Sequence, residues 1–312
     1  MTITQLEYII AVDTHRHFAK AAEASFVTQP TLSMQIQKLE QELGVTIFDR
    51  SRQPVVPTDI GRRVILQARQ IVNESRKIRE IIEDEKKEVA GELRLGIIPT
   101  LAPYLLPLFI GSFIEKYPGV TLQVEELLTE QVLMRLKQDQ IDIGLIVTPS
   151  NDPGVLEQPV FYEEFYAYLS PRHPLYRQET LKADEIDVED VWLLNEGHCF
   201  REQVLNICGR QGVGSHGNFR YQSGSLEALR KIVDRQGGFT LLPELASMEL
   251  GEESKSKVRP FAEPRPVREV SLVMHRSFLK RKLVEALRHE IIDNLPPLVR
   301  QKTGNTNTVK WR

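Results

Sequence analysis

Two cysteines occur in the 312-residue chain, and both fall in one stretch, Gly197-His198-Cys199-Phe200-Arg201-Glu202-Gln203-Val204-Leu205-Asn206-Ile207-Cys208. A sulfur attacks as thiolate, and a neighbouring cation or a helix N-terminus lowers a thiol's pKa. His198 and Arg201 flank Cys199, and Gly197 marks the start of a helix just before it, so Cys199 is a candidate peroxide-reactive thiol of depressed pKa. Nine residues along an α-helix give roughly 13.5 Å of rise and about 900° of rotation, which points Cys199 and Cys208 to opposite faces. A disulfide needs Cα atoms within about 7 Å, so bridging the pair requires a helical segment to unwind. Two other readings stay open on these residues alone. Cysteine is among the most buried residue types, so both thiols can be inert core residues. His198 can belong to a metal site, although no Cys-x-x-Cys or His-x-x-x-His supplies further ligands.

The elements that must position these residues belong to an ordinary globular chain. It is 41% hydrophobic and 27% charged, and long enough for two or three domains. No apolar run reaches the length of about 18 residues that a membrane span needs, and the start, Met1-Thr-Ile-Thr-Gln-Leu-Glu7, lacks the pattern of a signal peptide. These features point to a cytoplasmic protein with no membrane partner, where a disulfide is transient and sensing rather than structural. The net charge of −3 confines any nucleic-acid role to a local patch. Arg50, Arg52, Arg62 and Arg63 supply one, with only Asp59 among them.

Leu6 to Asp13, Phe18 to Phe26 and Pro30 to Leu43 give three short helical patterns, the layout of a helix-turn-helix. In the third, Pro30 suits a first helical position with Thr28 or Gln29 as cap, and Leu32, Ile36, Leu39 and Leu43 form a buried stripe. Thr31, Gln35 and Lys38 form a polar stripe rotated from it by roughly 100°, able to reach base edges and phosphates. Arg50 to Thr58 reads as a small β-wing whose Arg50 and Arg52 can sit on phosphates.

On these residues the chain resembles the LysR-type transcriptional regulators. Phe18-Ala-Lys-Ala-Ala22, Thr28-Gln-Pro-Thr-Leu-Ser33, Lys38-Leu-Glu40, Leu43-Gly44 and Thr58-Asp-Ile-Gly61 carry the likeness, without a gap over about sixty residues. It implies double-stranded DNA as partner and adds Gln29, Pro30 and Ser33 to Thr31, Gln35, Lys38, Arg50 and Arg52 as DNA-facing residues. Met34 and Gln37 stand where many relatives carry arginine, and Gln53-Pro54 replaces basic wing residues, so the salt slope should be shallow.

From Thr58 to about Glu88 a helical pattern carries a seven-residue repeat, with Val64, Ile71 and Ile78 at one site and Ala68, Ile82 and Val89 at the other, broken at Ser75. A seam of that period is buried against another helix, which predicts a dimer; the alternative is a helix lying on its own domain. Beyond Gly91, strand signals at 92–98, 120–124, 141–147, 191–194 and 239–242 alternate with helices and predict an open α/β architecture in two halves around a cleft. The tail after Lys302 has no periodicity and is expected to be mobile.

Leu95-Gly96, Ile141-Asp-Ile-Gly-Leu145 and Gly238-Phe-Thr-Leu-Leu-Pro243 continue the family resemblance. Gly197-His-Cys199-Phe-Arg201 to Cys208, followed by Ser225-Leu-Glu-Ala-Leu229, is similar to its peroxide-sensing branch. The fold this implies is α/β: an N-terminal winged helix-turn-helix (1–60), a linker and dimerisation helix (58–89), a two-lobed periplasmic-binding-protein-like effector domain (90–302) and a disordered tail (303–312). The resemblance implies Cys199 as peroxidatic and Cys208 as resolving cysteine, His198 and Arg201 as their neighbours, Thr100 and Thr129 as hydroxyls that place hydrogen peroxide, and Arg268 as a nearby cation. It implies no cofactor and no metal, a homodimer or homotetramer, RNA polymerase as partner, and glutaredoxin or thioredoxin as thiol reductant. Asn218 stands where some relatives have histidine. A stoichiometric switch of this kind is not an enzyme. A regulator responding to a small metabolite in the cleft, and a thiol peroxidase fused to a DNA-binding module, are the competing expectations.

Overall fold

The computed structural model describes residues 1–84, 89–186, 191–208, 224–276, 278, 280–302 and 307–311. The chain divides into two compact units, Met1–Lys87 and Glu88–Arg312.

The first unit contains α1 (Ile3–His15), α2 (Phe18–Ala24), α3 (Gln29–Leu43), the short strands β1 (Phe48–Asp49) and β2 (Val56–Pro57), and α4 (Asp59–Asp84). α1 opens on a capping box in which Gln5 N–H donates to Thr2 Oγ1 at 3.2 Å and Thr2 N–H to Gln5 Oε1 at 2.9 Å. Thr28 caps α3, with Pro30 in its first turn, and Gly44 in the left-handed region ends it. Leu32, Ile36 and Leu39 are fully buried against α1, but Leu43, expected in that stripe, is exposed at the last turn. The antiparallel pair β1 and β2 forms the wing. Thr58 then accepts Gly61 N–H and donates to Thr46 O at 2.7 Å. A Cβ at position 61 would stand 2.0 Å from Ile47 O, so the Thr58 to Gly61 motif exists because only glycine lets α4 start against the wing.

The linker helix departs from the expected seam. Ile65, Ala68 and Val72 are buried in the core of the helix-turn-helix, and Arg69 pairs with Asp13 of α1 at 2.9 Å. Its first half therefore lies on its own domain, because Ile65 and Val72, each one position on from Val64 and Ile71, pack into that core together with Ala68. Ile71 and Ile78, 37% and 64% exposed, continue the seven-residue repeat uncovered. The side chain of Ile82 lies outside the described residues.

The second unit contains β3 (Gly91–Ile97), α5 (Ala102–Lys116), β4 (Val120–Glu126), α6 (Thr129–Lys137), β5 (Ile143–Thr148), β6 (Val155–Leu169), α7 (Cys199–Cys208), α8 (Leu226–Gln236), β7 (Phe239–Pro243), α9 (Glu244–Met248), α10 (Glu252–Lys255), β8 (Val258–Pro260), β9 (Val267–His275), α11 (Arg281–Asn294) and α12 (Pro297–Arg300). Strands follow the order β4-β3-β5-β9-β6-β7, with β8 also on β6. β3 pairs in parallel with β4 and β5, while β9 runs antiparallel to both β5 and β6. The long β6 joins two halves: residues 155–164 pair with β9, and 165–169 pair with β7 and β8. Its charged Glu163-Glu164 and Pro159 hide it from a search for apolar runs.

Two further expectations differ from the structure. The stretch 191–194 is buried beside β7 but forms only an isolated bridge from Val191 to Phe239, because Thr240 Oγ1 takes the Trp192 carbonyl at 2.8 Å in place of a ladder bond. The described part of the tail is ordered: Thr308 bridges Val267, Val309 N–H donates to Val267 O at 2.8 Å, and Trp311 is buried with its indole N–H on Val147 O at 3.1 Å. Absence of periodicity marked this segment as unstructured, but its partners lie on β5, α7 and β9, out of reach of any local pattern.

Candidate redox site and nucleic-acid interface

The redox site forms where the two halves of the second unit meet. Thr100 follows β3, and Thr129 opens α6 after β4, both from one half; Cys199 opens α7. Gly197, at φ +93°, allows the turn before α7: a Cβ there would stand 3.2 Å from Leu128 Cδ1, beside the start of α6. The turn thereby brings the Cys199 sulfur to the Thr129 hydroxyl.

Arg268 on β9 organises the other side. Its guanidinium donates to Glu163 Oε1 on β6 at 2.9 and 2.7 Å, to Thr100 Oγ1 at 3.0 Å and to the Thr100 carbonyl at 3.2 Å. Both ions are out of water, at 1% and 0% exposure, and the second Glu163 oxygen accepts Leu245 N–H at 3.2 Å. The guanidinium carbon lies 5.4 Å from the centre of the Phe200 ring, next in sequence to Cys199, and Phe200 stacks on Phe165. Thr100 is thus the acceptor for Arg268 rather than a helix cap, and Arg268 is a core ion rather than a surface charge.

Thr129 is buried, and among the described residues its Oγ1 has no hydrogen-bond partner of good geometry. It sits beside the Cys199 sulfur, where its influence lowers the thiol pKa. An orphaned buried hydroxyl is costly in a fold and marks a place for a small polar molecule.

The electrostatics differ from the sequence expectation. Burial pushes the Cys199 thiol above its ordinary pKa, and the opposing influences of Thr129, the Arg268 charge and the backbone N–H groups of Phe200 and Cys199 do not overcome it. His198 is not the expected cation: burial holds its pKa below the usual histidine value, and its Nε2 faces Gly224. Arg201 turns away, donating to Leu194 O at 2.9 Å. Burial also pushes Cys208 up, to about 12. Both cysteines are reduced and lie at the two ends of the ten-residue α7, so the helical reading of that segment holds. Asn218 lies outside the described residues. Among the described residues, no group of three or more His, Cys, Asp or Glu could hold a metal ion, and no helix is long and apolar enough to cross a membrane.

Sequence reasoning missed Glu163 and Phe200. A glutamate inside a strand reads as solvent-facing, and the arginine that neutralises it stands 105 positions away.

In the first unit, α3 carries Gln29, Pro30 and Lys38 exposed, with Thr31, Ser33 and Gln35 half-buried. Four of the expected contact residues, Thr31, Ser33, Gln35 and Arg50, are already engaged within the chain. Thr31 Oγ1 shares a 2.9 Å hydrogen bond with Thr28 Oγ1, and Gln35 Oε1 accepts from Gln5 Nε2 at 3.3 Å. Arg50 donates to Ser33 Oγ at 3.2 Å and Glu40 Oε2 at 3.0 Å while covering Phe18. Arg50 therefore braces the wing against α3 instead of standing ready for a phosphate. Arg52 is exposed and pairs with Asp49 at 3.2 Å.

The LysR substrate binding domain matches residues 86–296, and the bacterial regulatory helix-turn-helix of the lysR family matches residues 3–62. The chain belongs to the LysR family. A hydrogen peroxide-inducible genes activator of Haemophilus influenzae is 32% identical over 299 residues, covering 96% of this chain and 99% of that protein. The DNA-binding transcriptional dual regulator OxyR of Escherichia coli is 32% identical over 305 residues, with the same coverage. Full-length OxyR of Pseudomonas aeruginosa, carrying a cysteine-to-aspartate substitution, superposes with a TM-score of 0.79 at 33% identity, covering 97% of this chain and 99% of that one. This LysR-family chain therefore has the architecture of a regulator, with a two-lobed α/β effector domain after the helix-turn-helix, and not that of an enzyme.

Proposed function

We propose that this chain is a cytoplasmic, DNA-binding transcriptional regulator that senses hydrogen peroxide through Cys199 and Cys208. The observation that carries this reading is the buried Cys199 sulfur beside the unpartnered Thr129 hydroxyl, with Arg268 and Thr100 alongside. The names of its relatives support it. Thr129 and Thr100 place peroxide, and the Arg268 charge favours the thiolate. The Cys199 sulfur attacks one oxygen, the O–O bond breaks, and the departing hydroxide leaves as water with the proton given up by the thiol. The sulfenic acid so formed is attacked by the Cys208 sulfur. The S–O bond breaks, a second water leaves with the Cys208 proton, and the disulfide closes.

Ten helical residues hold the two sulfurs apart, so α7 must unwind for that second step. Residues 1–60 read DNA with α3 while Arg52 contacts phosphate; 58–89 join two chains along Ile71 and Ile78; 90–302 sense. A homodimer or homotetramer changes geometry on DNA, passes the change to RNA polymerase, and is reset by glutaredoxin or thioredoxin. Mass spectrometry after one equivalent of peroxide tests the scheme. A Cys199–Cys208 link should form in the native protein, Cys208→Ser should instead carry a dimedone adduct at Cys199, and Cys199→Ser should do neither. A Cys199→Ser variant whose DNA footprint still switches at micromolar peroxide refutes the assignment.

A further inference from the structure

Phe26 lies in the turn between α2 and α3, and at 96% exposure it is the most exposed large apolar side chain among the described residues. Its φ is +55°, the left-handed region that a bulky residue rarely adopts. The conformation is imposed by the end of α2. Phe26 N–H donates to Glu23 O at 3.1 Å and Val27 N–H to Ala22 O at 3.0 Å, the pair of bonds that closes a helix with a left-handed residue, usually glycine or asparagine. Val27, the next residue, supplies the apolar contact of this motif by packing on the core. The fold thus needs a left-handed residue at 26 and makes no use of a phenyl ring there. A strained, solvent-facing aromatic that contributes nothing to its own domain points to a contact outside it.

Its location specifies that contact. Phe26 stands two residues before the Thr28 cap of α3, at the end where Gln29 and Pro30 are also exposed. The N-terminal residues of a recognition helix are the ones that meet base edges, and an apolar ring meets the C5-methyl of thymine in the major groove. We propose that Phe26 is a specificity-determining DNA contact, packing its ring on a thymine methyl at one position of each half-site. The proposal rests on the DNA-binding reading of the first unit.

The test is selection from a library of randomised duplex DNA with the full-length reduced protein and with Phe26→Asn. Asparagine suits the left-handed turn, so the variant should melt at or above the parent temperature. The parent should enrich a site with thymine at a defined position. The variant should lose preference at that position alone and bind the selected site roughly three- to tenfold more weakly, with an unchanged salt slope because no phosphate contact is lost. Replacing that thymine by deoxyuridine should weaken the parent by a similar factor and leave the variant unaffected. Identical preferences and affinities for the two proteins, or no effect of deoxyuridine at any thymine of the site, would overturn the proposal while leaving the DNA reading intact. Altered self-association in Phe26→Asn with unchanged DNA preference would assign the ring to a protein contact and also overturn it. A parent protein that enriches no sequence would sink both readings together.

Discussion

Removing the Arg268 guanidinium would strip the Glu163 carboxylate, at 0% exposure, of its counter-ion and leave it, among the described residues, with the Leu245 N–H as its remaining donor. Four hydrogen bonds would be lost, two to the carboxylate and two to Thr100. Breaking a buried pair from one side costs about 3–5 kcal/mol, a large share of the roughly 5–15 kcal/mol that holds a domain together. Arg268→Met should therefore lower the urea midpoint of the second unit steeply, and Glu163→Leu should do the same by stranding the cation. The double variant should recover most of the loss, because two apolar side chains need no partner. The cycle should report a coupling of about 3 kcal/mol between the residues. Trp192 and Trp311, the two tryptophans of the chain, both lie in this unit, so their fluorescence follows its unfolding without interference from the helix-turn-helix. Arg268→Met should also push the Cys199 thiol further up and slow its reaction with peroxide. Single variants costing under about 1 kcal/mol, or losses that simply add, would refute the claim that this pair acts as one buried unit.

Thr129→Val keeps the volume at the site but removes its orphan hydroxyl, so peroxide oxidation should slow while stability holds or rises; stopped-flow kinetics beside a melting curve checks both. Since burial holds the Cys199 thiol above its ordinary pKa, its oxidation rate in the native protein should climb steadily from pH 6 to pH 9, and a plateau already reached near pH 6 would contradict the structure. Burial raises the Asp142 pKa, but two-toothed hydrogen bonding from Arg94, at 3.1 and 3.0 Å, brings it below the usual aspartate value. A depressed folded pKa gives stability that is present above the unfolded value and lost as pH falls through the folded one. Asp142→Asn should therefore be less stable than the parent at pH 6 and converge on it toward pH 2. Gln203 Nε2 donates to Val309 O at 2.8 Å and Asn206 Nδ2 to Lys310 O at 2.6 Å, tying α7 to the chain end. At roughly 1 kcal/mol each, truncation after Lys302 should loosen α7 by about 2 kcal/mol, read as faster amide exchange over residues 199–208; unchanged exchange would show that the tie does not stabilise α7.

The sequence by itself determined the elements whose causes are local. Three short helices with a cap at Thr28, a wing closed by Pro57 and a helix entered at Gly197 all follow from residues a few positions apart. So does the geometric conflict between a helical α7 and a disulfide across it. Only the tertiary structure decided the chemistry around the sulfur. His198 and Arg201 adjoin Cys199 in sequence, yet one is buried below its usual pKa and the other bonds a carbonyl. The charge that acts on the thiol comes from Arg268, the orphan hydroxyl from Thr129 and the balancing carboxylate from Glu163, each on a different element. The sign of the thiol shift was likewise beyond the sequence, because desolvation depends on how the halves close over Cys199 and not on its neighbours in the chain. The same holds for the linker, where the heptad is legible but the burial of Ile65 and Val72 against α1 is not, and for the chain end, whose partners on β5, α7 and β9 exist only once the sheet has formed.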